Sequence, residues 1–313
     1  MNKVAIEFSL TGKIYKKGFW GTPYQALKDL NLQIPEGTIF GFLGANGAGK
    51  TTAIKILMGL QKATTGEILL WGENPELNKH RVGYLPERPY FHENLSAEEF
   101  LYFHKSLYPY EKNKKQISND ELLDLVGLKH AKKKLLKEFS KGMLQRIGIA
   151  QSLVNNPDLI ILDEPMSGLD PIGRREVRNL IQNLAHQGKT IFFSSHILSD
   201  VESLCHQIAF LEKGVLSFAG KVDTILKRNS TEEEILFHGL SNEKIRTIPL
   251  LAKSQRMGEA WKLLTQNPQA TKMAIEAIWQ NDGQLLGVHA FHQNLEDALF
   301  GLDLVKQGGT ANE

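Results

Sequence analysis

Cys205 is the only cysteine in 313 residues. A lone thiol excludes an intrachain disulfide and a cysteine-built metal cluster, and it suits a reducing compartment. Long apolar runs are missing too: no stretch reaches the ~20 residues needed to span a bilayer. The first residues, Met1-Asn-Lys-Val-Ala-Ile-Glu-Phe8, lack a signal-peptide core because Glu7 interrupts it. The expectation is a protein soluble by itself, with any membrane role supplied by a partner. Excess charge of one sign is also absent. Lys and Arg total 37 against 35 Asp and Glu, a formal net charge of +2, which gives no overall electrostatic case for nucleic acid. What is left is ordinary globular material, 42% hydrophobic and 23% charged, enough for one large domain or two modest ones.

The most informative stretch is Gly44-Ala-Asn-Gly-Ala-Gly-Lys-Thr-Thr52, which reads G-x-x-x-x-G-K-[ST]. It follows the apolar run Ile39–Leu43, which suits a buried strand. It precedes Thr51–Met58, which reads as a helix with Ile54, Leu57 and Met58 on one face. Glycines let successive N–H groups point inward as an anion nest, and the helix start adds unpaired N–H groups and a positive dipole end. The nucleotide-binding candidates here are Gly44, Asn46, Gly47, Ala48, Gly49, Lys50, Thr51 and Thr52. Lys50 supplies a mobile charge for phosphates, and the Thr51 hydroxyl is placed to coordinate Mg²⁺.

Further along, period-2 patterns predict strands over residues 3–10 and 26–34, and shorter ones at 67–71 and 81–85. From Ser96 the period turns helical. Ser96 and Glu99 make a capping box, with Phe100, Phe103 and Leu107 expected on the buried face. A second helix is expected over 119–126, and a third over 140–154. Between them lie Lys129, Lys132, Lys133, Lys134 and Lys137, read as a solvated helix face. Leu159–Leu162 reads as a central parallel strand. Asp170-Pro171 opens a helix whose stripe is Val177, Leu180, Ile181 and Leu184. Thr190–Ser194 is another buried strand, 200–206 another helix, and residues 208–218 a hairpin. Strands alternating with helices imply a mostly parallel sheet covered on both faces. Beyond residue 220 only two strand-like runs emerge, 234–238 and 285–291, among helical patterns at 274–279 and 295–300; the tail from Gly308 is expected to be disordered.

Leu159-Ile-Ile-Leu-Asp-Glu-Pro165 ends an apolar strand in two carboxylates, which are costly to bury unless a cation meets them. Asp163 suits the metal site opposite Thr51, and Glu164 suits orientation or deprotonation of an attacking water. With this element in place, residues 4–218 resemble the ATP-binding cassette ATPases, the nucleotide-binding components of ABC transporters. The similarity rests on five elements in order: the phosphate loop, the signature segment Phe139-Ser-Lys-Gly-Met-Leu-Gln-Arg146, the acidic strand, the D-loop Ser167-Gly-Leu-Asp170, and a switch histidine, His196.

The resemblance implies an α/β fold: a P-loop NTPase core with a mostly parallel sheet, an N-terminal antiparallel β subdomain, and a helical insert at about 96–155. The expected domains are a nucleotide-binding domain at 1–218 and a small α+β accessory domain at 219–313. It also implies site residues: Ser140, Gly142 and Met143 for the γ-phosphate, Asp170 as the coupling D-loop residue, Glu164 and His196 as catalytic, and Tyr15 to stack on adenine, with Phe19 and Trp20 nearby. Two positions depart from the family pattern. Glu87 stands where the Q-loop carries glutamine and would offer an oxygen to Mg²⁺, and Lys141 and Met143 replace a glycine and a glutamine. Both departures, and the closing segment Leu295–Phe300, are similar to the ABC-2 type exporter branch.

The implied working form is a head-to-tail dimer with a second, identical cassette. Two ATP molecules are sandwiched between the phosphate loop of one chain and the signature segment of the other. An integral membrane permease docks on the helical insert at the inner face of the cell membrane, and no nucleic acid takes part. A soluble ABC-type ATPase acting on nucleic acid or ribosomes, and an ATP-gated assembly module, stay open as alternatives.

Overall fold

The computed structural model describes residues 3–16, 22–108, 117–226, 232–247, 250, 251, 254–290, 295 and 299. Phe19, Trp20, most of the closing segment 295–300 and the tail from Gly308 lie outside the described residues. The chain divides into two units, Met1–Val222 and Asp223–Glu313.

In the first unit, β1 (Val4–Lys16) runs antiparallel to β2 (Pro23–Pro35), both longer than their alternation predicts. A turn at Gly37 leads into β3 (Ile39–Leu43), buried along its whole length, and the phosphate loop opens into α1 (Lys50–Leu57). β4 (Thr65–Leu70) returns to the free edge of β1, giving the antiparallel sheet β2-β1-β4. α2 (Pro75–Asn78) and a 3₁₀ turn precede β5 (Val82–Leu85).

The helical insert holds α3 (Ala97–Ser106), α4 (Asn119–Leu125) and α5 (Lys141–Ser152). Ser96 and Glu99 form the expected capping box. The buried stripe of α3, however, is Ala97, Phe100 and Leu101, while Phe103 and Leu107 are 39% and 63% exposed. The helix stops at Ser106, so Leu107 falls on its C-cap, and the i, i+3, i+4 spacing from Ala97 selects Leu101 instead. The lysine-rich segment is not a helix face: it forms two 3₁₀ turns, Lys129–Ala131 and Leu136–Glu138. Lys132 bridges Glu98 and Asp120 there, tying α3 to α4.

β6 (Leu159–Asp163), α6 (Pro171–His186), β7 (Thr190–Ser195) and α7 (Leu198–Glu202) follow, then the hairpin β8 (Gln207–Glu212) and β9 (Val215–Lys221). α7 is shorter and starts earlier than the 200–206 pattern suggests. The second sheet has the order β5-β6-β7-β3-β8-β9 and is parallel except at β9. Its central strands are apolar on both faces, as a sheet covered on both sides requires. Phe192 packs between Phe40 and Phe42 with ring centroids 6.1 and 5.4 Å away, so β3 and β7 share one aromatic seam. This order makes β6, β7 and β3 neighbours, and their carboxyl ends carry the acids, His196 and the phosphate loop respectively.

α8 (Val222–Leu226) spans the division. The second unit continues with β10 (Glu233–His238), α9 (Asn242–Thr247), β11 (Gln255–Met257), β12 (Ala260–Thr265), α10 (Pro268–Gln280) and β13 (Gln284–Ala290). Its sheet, β11-β12-β10-β13, is antiparallel throughout, so the chain traces a βαββαβ split arrangement. Ala274 and Ile278 of α10 share a core with Ile235, Phe237 and Leu263. Four strands stand where the sequence suggests two. β11 is a three-residue exposed edge with no apolar signal, and Leu263-Leu264 breaks the alternation of β12.

Candidate functional site

The phosphate loop is held open by its packing. Gly44 and Gly49 have φ of +156° and +107°, and a Cβ would sit 2.4 Å from the Leu211 carbonyl oxygen at the first and 2.5 Å from that of Ala26 at the second. Backbone from β2 and from the end of β8 therefore approaches the loop on two sides, and only glycine fits. In this form the Lys50 ammonium donates to the Gly44 carbonyl oxygen at 2.6 Å and lies 3.2 Å from Glu164 Oε1.

Asp163 and Glu164 end β6 and are 1% and 9% exposed. Glu164 takes a left-handed φ of +51°, unusual for a residue with a side chain, which turns it away from the strand. Its Oε2 meets His196 Nδ1 at 2.8 Å. Oε1 faces Lys50 without an aligned hydrogen bond. The carboxylate thus lies between the phosphate-loop lysine and the histidine that follows β7.

Ser194 organises the pair. It is the register partner of Asp163 across β6 and β7. Its hydroxyl donates to Asp163 Oδ1 at 2.6 Å and accepts from the Glu164 N–H at 3.0 Å. Burial pushes the Asp163 carboxyl above the usual carboxylate range, the hydroxyls of Ser194 and Thr51 pull it down, and the charges of Glu87 and Glu164 push it up. Nearby, burial first, then Asp163 and Glu87, raise the Tyr84 phenol to about 12, which keeps it a hydrogen-bond donor. Asp163 Oδ2 is buried with no hydrogen-bond partner, beside the Thr51 hydroxyl. A free carboxylate oxygen next to a hydroxyl is the hard-oxygen donor set that suits Mg²⁺, which takes one or two protein oxygens plus phosphate and water.

A cleft of about 400 Å³ opens above the loop, lined by Tyr15, Tyr24, Ala45, Asn46, Gly47, Gly49, Lys50, Thr51, Thr52, Ala26, Glu87 and Glu164. Gly44 and Ala48 shape the loop from behind, and Asp163 and His196 touch the cleft through Thr51 and Glu164. Tyr15 holds Gln61 through its hydroxyl, and the Lys13 ammonium lies 5.3 Å from its ring centroid. Tyr24, its partner across the β1–β2 ladder, is the more exposed ring, with its hydroxyl 3.4 Å from the Gly47 carbonyl oxygen. Tyr24 and Ser194 are the site residues that sequence reasoning misses. The strand pairing would have exposed both, since each faces a named candidate across one ladder step.

Ser140, Gly142 and Met143 do not line this cleft. Ser140 caps α5, its hydroxyl oxygen accepting from the Met143 N–H at 3.3 Å. Asp170 caps α6 on the Gly173 N–H at 2.7 Å. Signature segment and D-loop nevertheless meet: the Lys141 ammonium lies 1.9 Å from where a Cβ on Gly168 would be, and Gly168 takes a left-handed φ of +66°, which favours glycine.

Comparisons with known proteins point to one family. The family described as ABC transporter matches residues 27–167. An uncharacterized ABC transporter ATP-binding protein of Synechocystis sp. is 42% identical over 91% of the chain and 80% of its own length. The bacitracin transport ATP-binding protein BcrA of Bacillus licheniformis is 45% identical over 66% of the chain and 68% of its length. Among solved structures, a dimeric, post-hydrolysis ATP-binding cassette bound to ADP and Pi superposes with a TM-score of 0.60 at 25% identity, covering 69% of the chain and 98% of its own.

Proposed function

The chain belongs to the ATP-binding proteins of ABC transporters and is an ATPase, and from that premise we propose that it works as a head-to-tail homodimer that energises export through a separate membrane permease. The observation that carries the proposal is the convergence of Lys50 and Glu164 at a cleft lined by the glycine-rich loop, with His196 bonded to Glu164. ATP enters with its phosphates in the nest, and Lys50 exchanges the Gly44 carbonyl for phosphate oxygen. Leaving Glu164, Lys50 frees that carboxylate to orient and deprotonate water, while His196 holds it from the other side. Thr51 and Asp163 would hold Mg²⁺, which supplies neutralisation of phosphate charge when bound. Glu87 adds a negative charge at the cleft edge that the family's glutamine lacks. Tyr15 and Tyr24 offer aromatic faces to the base.

The remoteness of Ser140, Gly142 and Met143 from their own cleft supports a dimer in which each signature segment completes the partner's site. Asp170 sits at that seam. No described helix is long and apolar enough to cross a membrane, so transport requires a membrane-spanning partner, which we place at the inner face of the cell membrane. The transport named for BcrA supports a transport role.

The test is Glu164→Gln. It is expected to bind ATP, hydrolyse it at least ~100-fold more slowly, as loss of a general base does, and elute as a dimer with ATP. A variant that stays monomeric with ATP removes the sandwich from the proposal. Affinity purification of tagged Glu164→Gln from gently solubilised cells should recover a polytopic membrane protein. Recovery only with ribosomal or DNA-associated proteins would overturn the transporter reading.

A further inference from the structure

A buried carboxylate stands behind the catalytic face, unused by the chemistry above. Asp200, in α7, is 2% exposed. Two arginines of α6 reach it: Arg178 Nη2 at 3.2 Å from Oδ1, and Arg174 Nη1 at 3.9 Å from Oδ2. Arg174 also turns the other way, its Nε donating to the Leu169 carbonyl oxygen at 3.3 Å. Leu169 belongs to the D-loop. Asp200 lies four positions after His196, across a turn in which the Ile197 N–H donates to Ser195 Oγ at 2.9 Å. α7 is pressed onto β3 where Gly41 leaves room for Val201 and Cys205. Polar contacts therefore join Glu164 to His196, and Asp200 through Arg174 to the D-loop, while the four residues of backbone from His196 to Asp200 connect the two within one unit.

We propose that Asp200 and Arg174 are positioning residues that tie the D-loop to the switch histidine, so that the place of the D-loop sets the place of His196 against Glu164. A charged side chain this deep is held by partners, and its partners here sit on the helix that the D-loop starts. Neither residue touches the nucleotide cleft. Asp200 Oδ2 has no aligned hydrogen bond, and the 3.9 Å separation from Arg174 leaves room for it to tighten. A dimer partner pressing on Asp170 would move Leu169 and Arg174 together. The inference rests on the dimer reading only for that last step.

The experiment is a double-mutant cycle in the full-length chain with Arg174→Gln and Asp200→Asn, reading steady-state ATP hydrolysis, ATP affinity and thermal midpoint. Each single variant is expected to lower kcat about tenfold while ATP affinity stays within about twofold, and the double variant to be no slower than the slower single. Arg178→Gln removes a charge from the same carboxylate without touching the D-loop. It should lower the midpoint at least as much as Arg174→Gln and change kcat by less than about threefold. Folded variants with kcat near the parent's, or additive losses in the double variant, overturn the proposal. So does a joint fall of kcat, affinity and midpoint, which is the pattern of plain packing damage. If Asp200→Asn does not fold, Arg174→Lys carries the test. A lysine reaches one partner but not both, and kcat should fall between parent and Arg174→Gln, whereas parental kcat in Arg174→Lys and Arg174→Gln alike overturns the idea. A parent chain that hydrolyses no ATP would instead sink the function proposed above.

Discussion

Asp163 shows what the site costs a single residue. Burial works against its ionised form, and the two hydroxyls on it answer only part of that penalty. An acid whose pKa is raised by folding is neutral in both states at pH below its ordinary value, so it does not disturb stability there. As pH rises through the ordinary value towards the raised one, the unfolded chain ionises first and stability drops. Asp163→Asn removes that drop while leaving an oxygen for the Ser194 hydroxyl. Measured calorimetrically without nucleotide or magnesium, its unfolding midpoint should exceed the parent's by on the order of 3 °C at pH 7. The gap should close as pH falls towards ~4, the ordinary aspartate value. A lower midpoint for Asp163→Asn at pH 7 would mean that the carboxylate is satisfied in the free protein. Lys50, Asp163 and Glu164 could be singled out in the sequence because each sits in a short local pattern, whereas His196 was named only through the family resemblance. Ser194 and Tyr24 were not, because their importance arises from a neighbour on another strand, 31 and 9 positions away, that only the register reveals.

At the scale of elements, the insert joins an apolar core, which includes Phe100, Leu101, Leu122, Leu123 and Ile147, to helices that start on side-chain caps. α3 starts at Ser96, whose Oγ accepts from the Glu99 N–H while Glu99 Oε2 takes the Ser96 N–H at 2.8 Å. The Ser96 hydroxyl, which donates to Glu99 Oε2 at 2.7 Å, and after it the Ser96 N–H, hold the Glu99 carboxyl below its ordinary range. Ser96→Ala should cost about 1 kcal/mol, read as a lower denaturation midpoint at unchanged slope. The cap was legible because S-x-x-E is a local signal, and so were the apolar strands β3, β6 and β7. The face of α3 was misread for a physical reason: Phe103 looks like core by composition. Instead it makes edge contacts with the rings of His92 and His104, at centroid distances of 5.2 and 5.3 Å, on a half-open surface. The lysine-rich stretch was misread because a helix and a pair of 3₁₀ turns present similar charge spacing over so few residues.

For the whole molecule, the division near Val222 separates two cores with their own sheets. Residues 1–222 contain every group named for nucleotide chemistry. Expressed alone, they are expected to fold cooperatively and to hydrolyse ATP at a rate within about threefold of the full chain, judged by calorimetry and phosphate release. A tenfold loss would assign the second unit a part in the ATPase cycle. The parallel character of the larger sheet followed from the βα alternation, whereas its strand order did not. The split βαββαβ arrangement of the second unit did not, since two of its four strands carry too little apolar pattern to be distinguished from turns.

The packing at Gly41 gives the molecule an internal clock. The sole thiol, Cys205, is buried against the strand that feeds the phosphate loop, and burial raises its pKa well above the ordinary value. A disulfide reagent can modify it only during moments when α7 lifts from β3, so the labelling rate counts those openings. The count needs no engineered probe, because the chain has no second sulfhydryl to confuse it. Loading the cleft with ATP should slow that clock, because nucleotide that binds only the closed sheet makes each opening rarer.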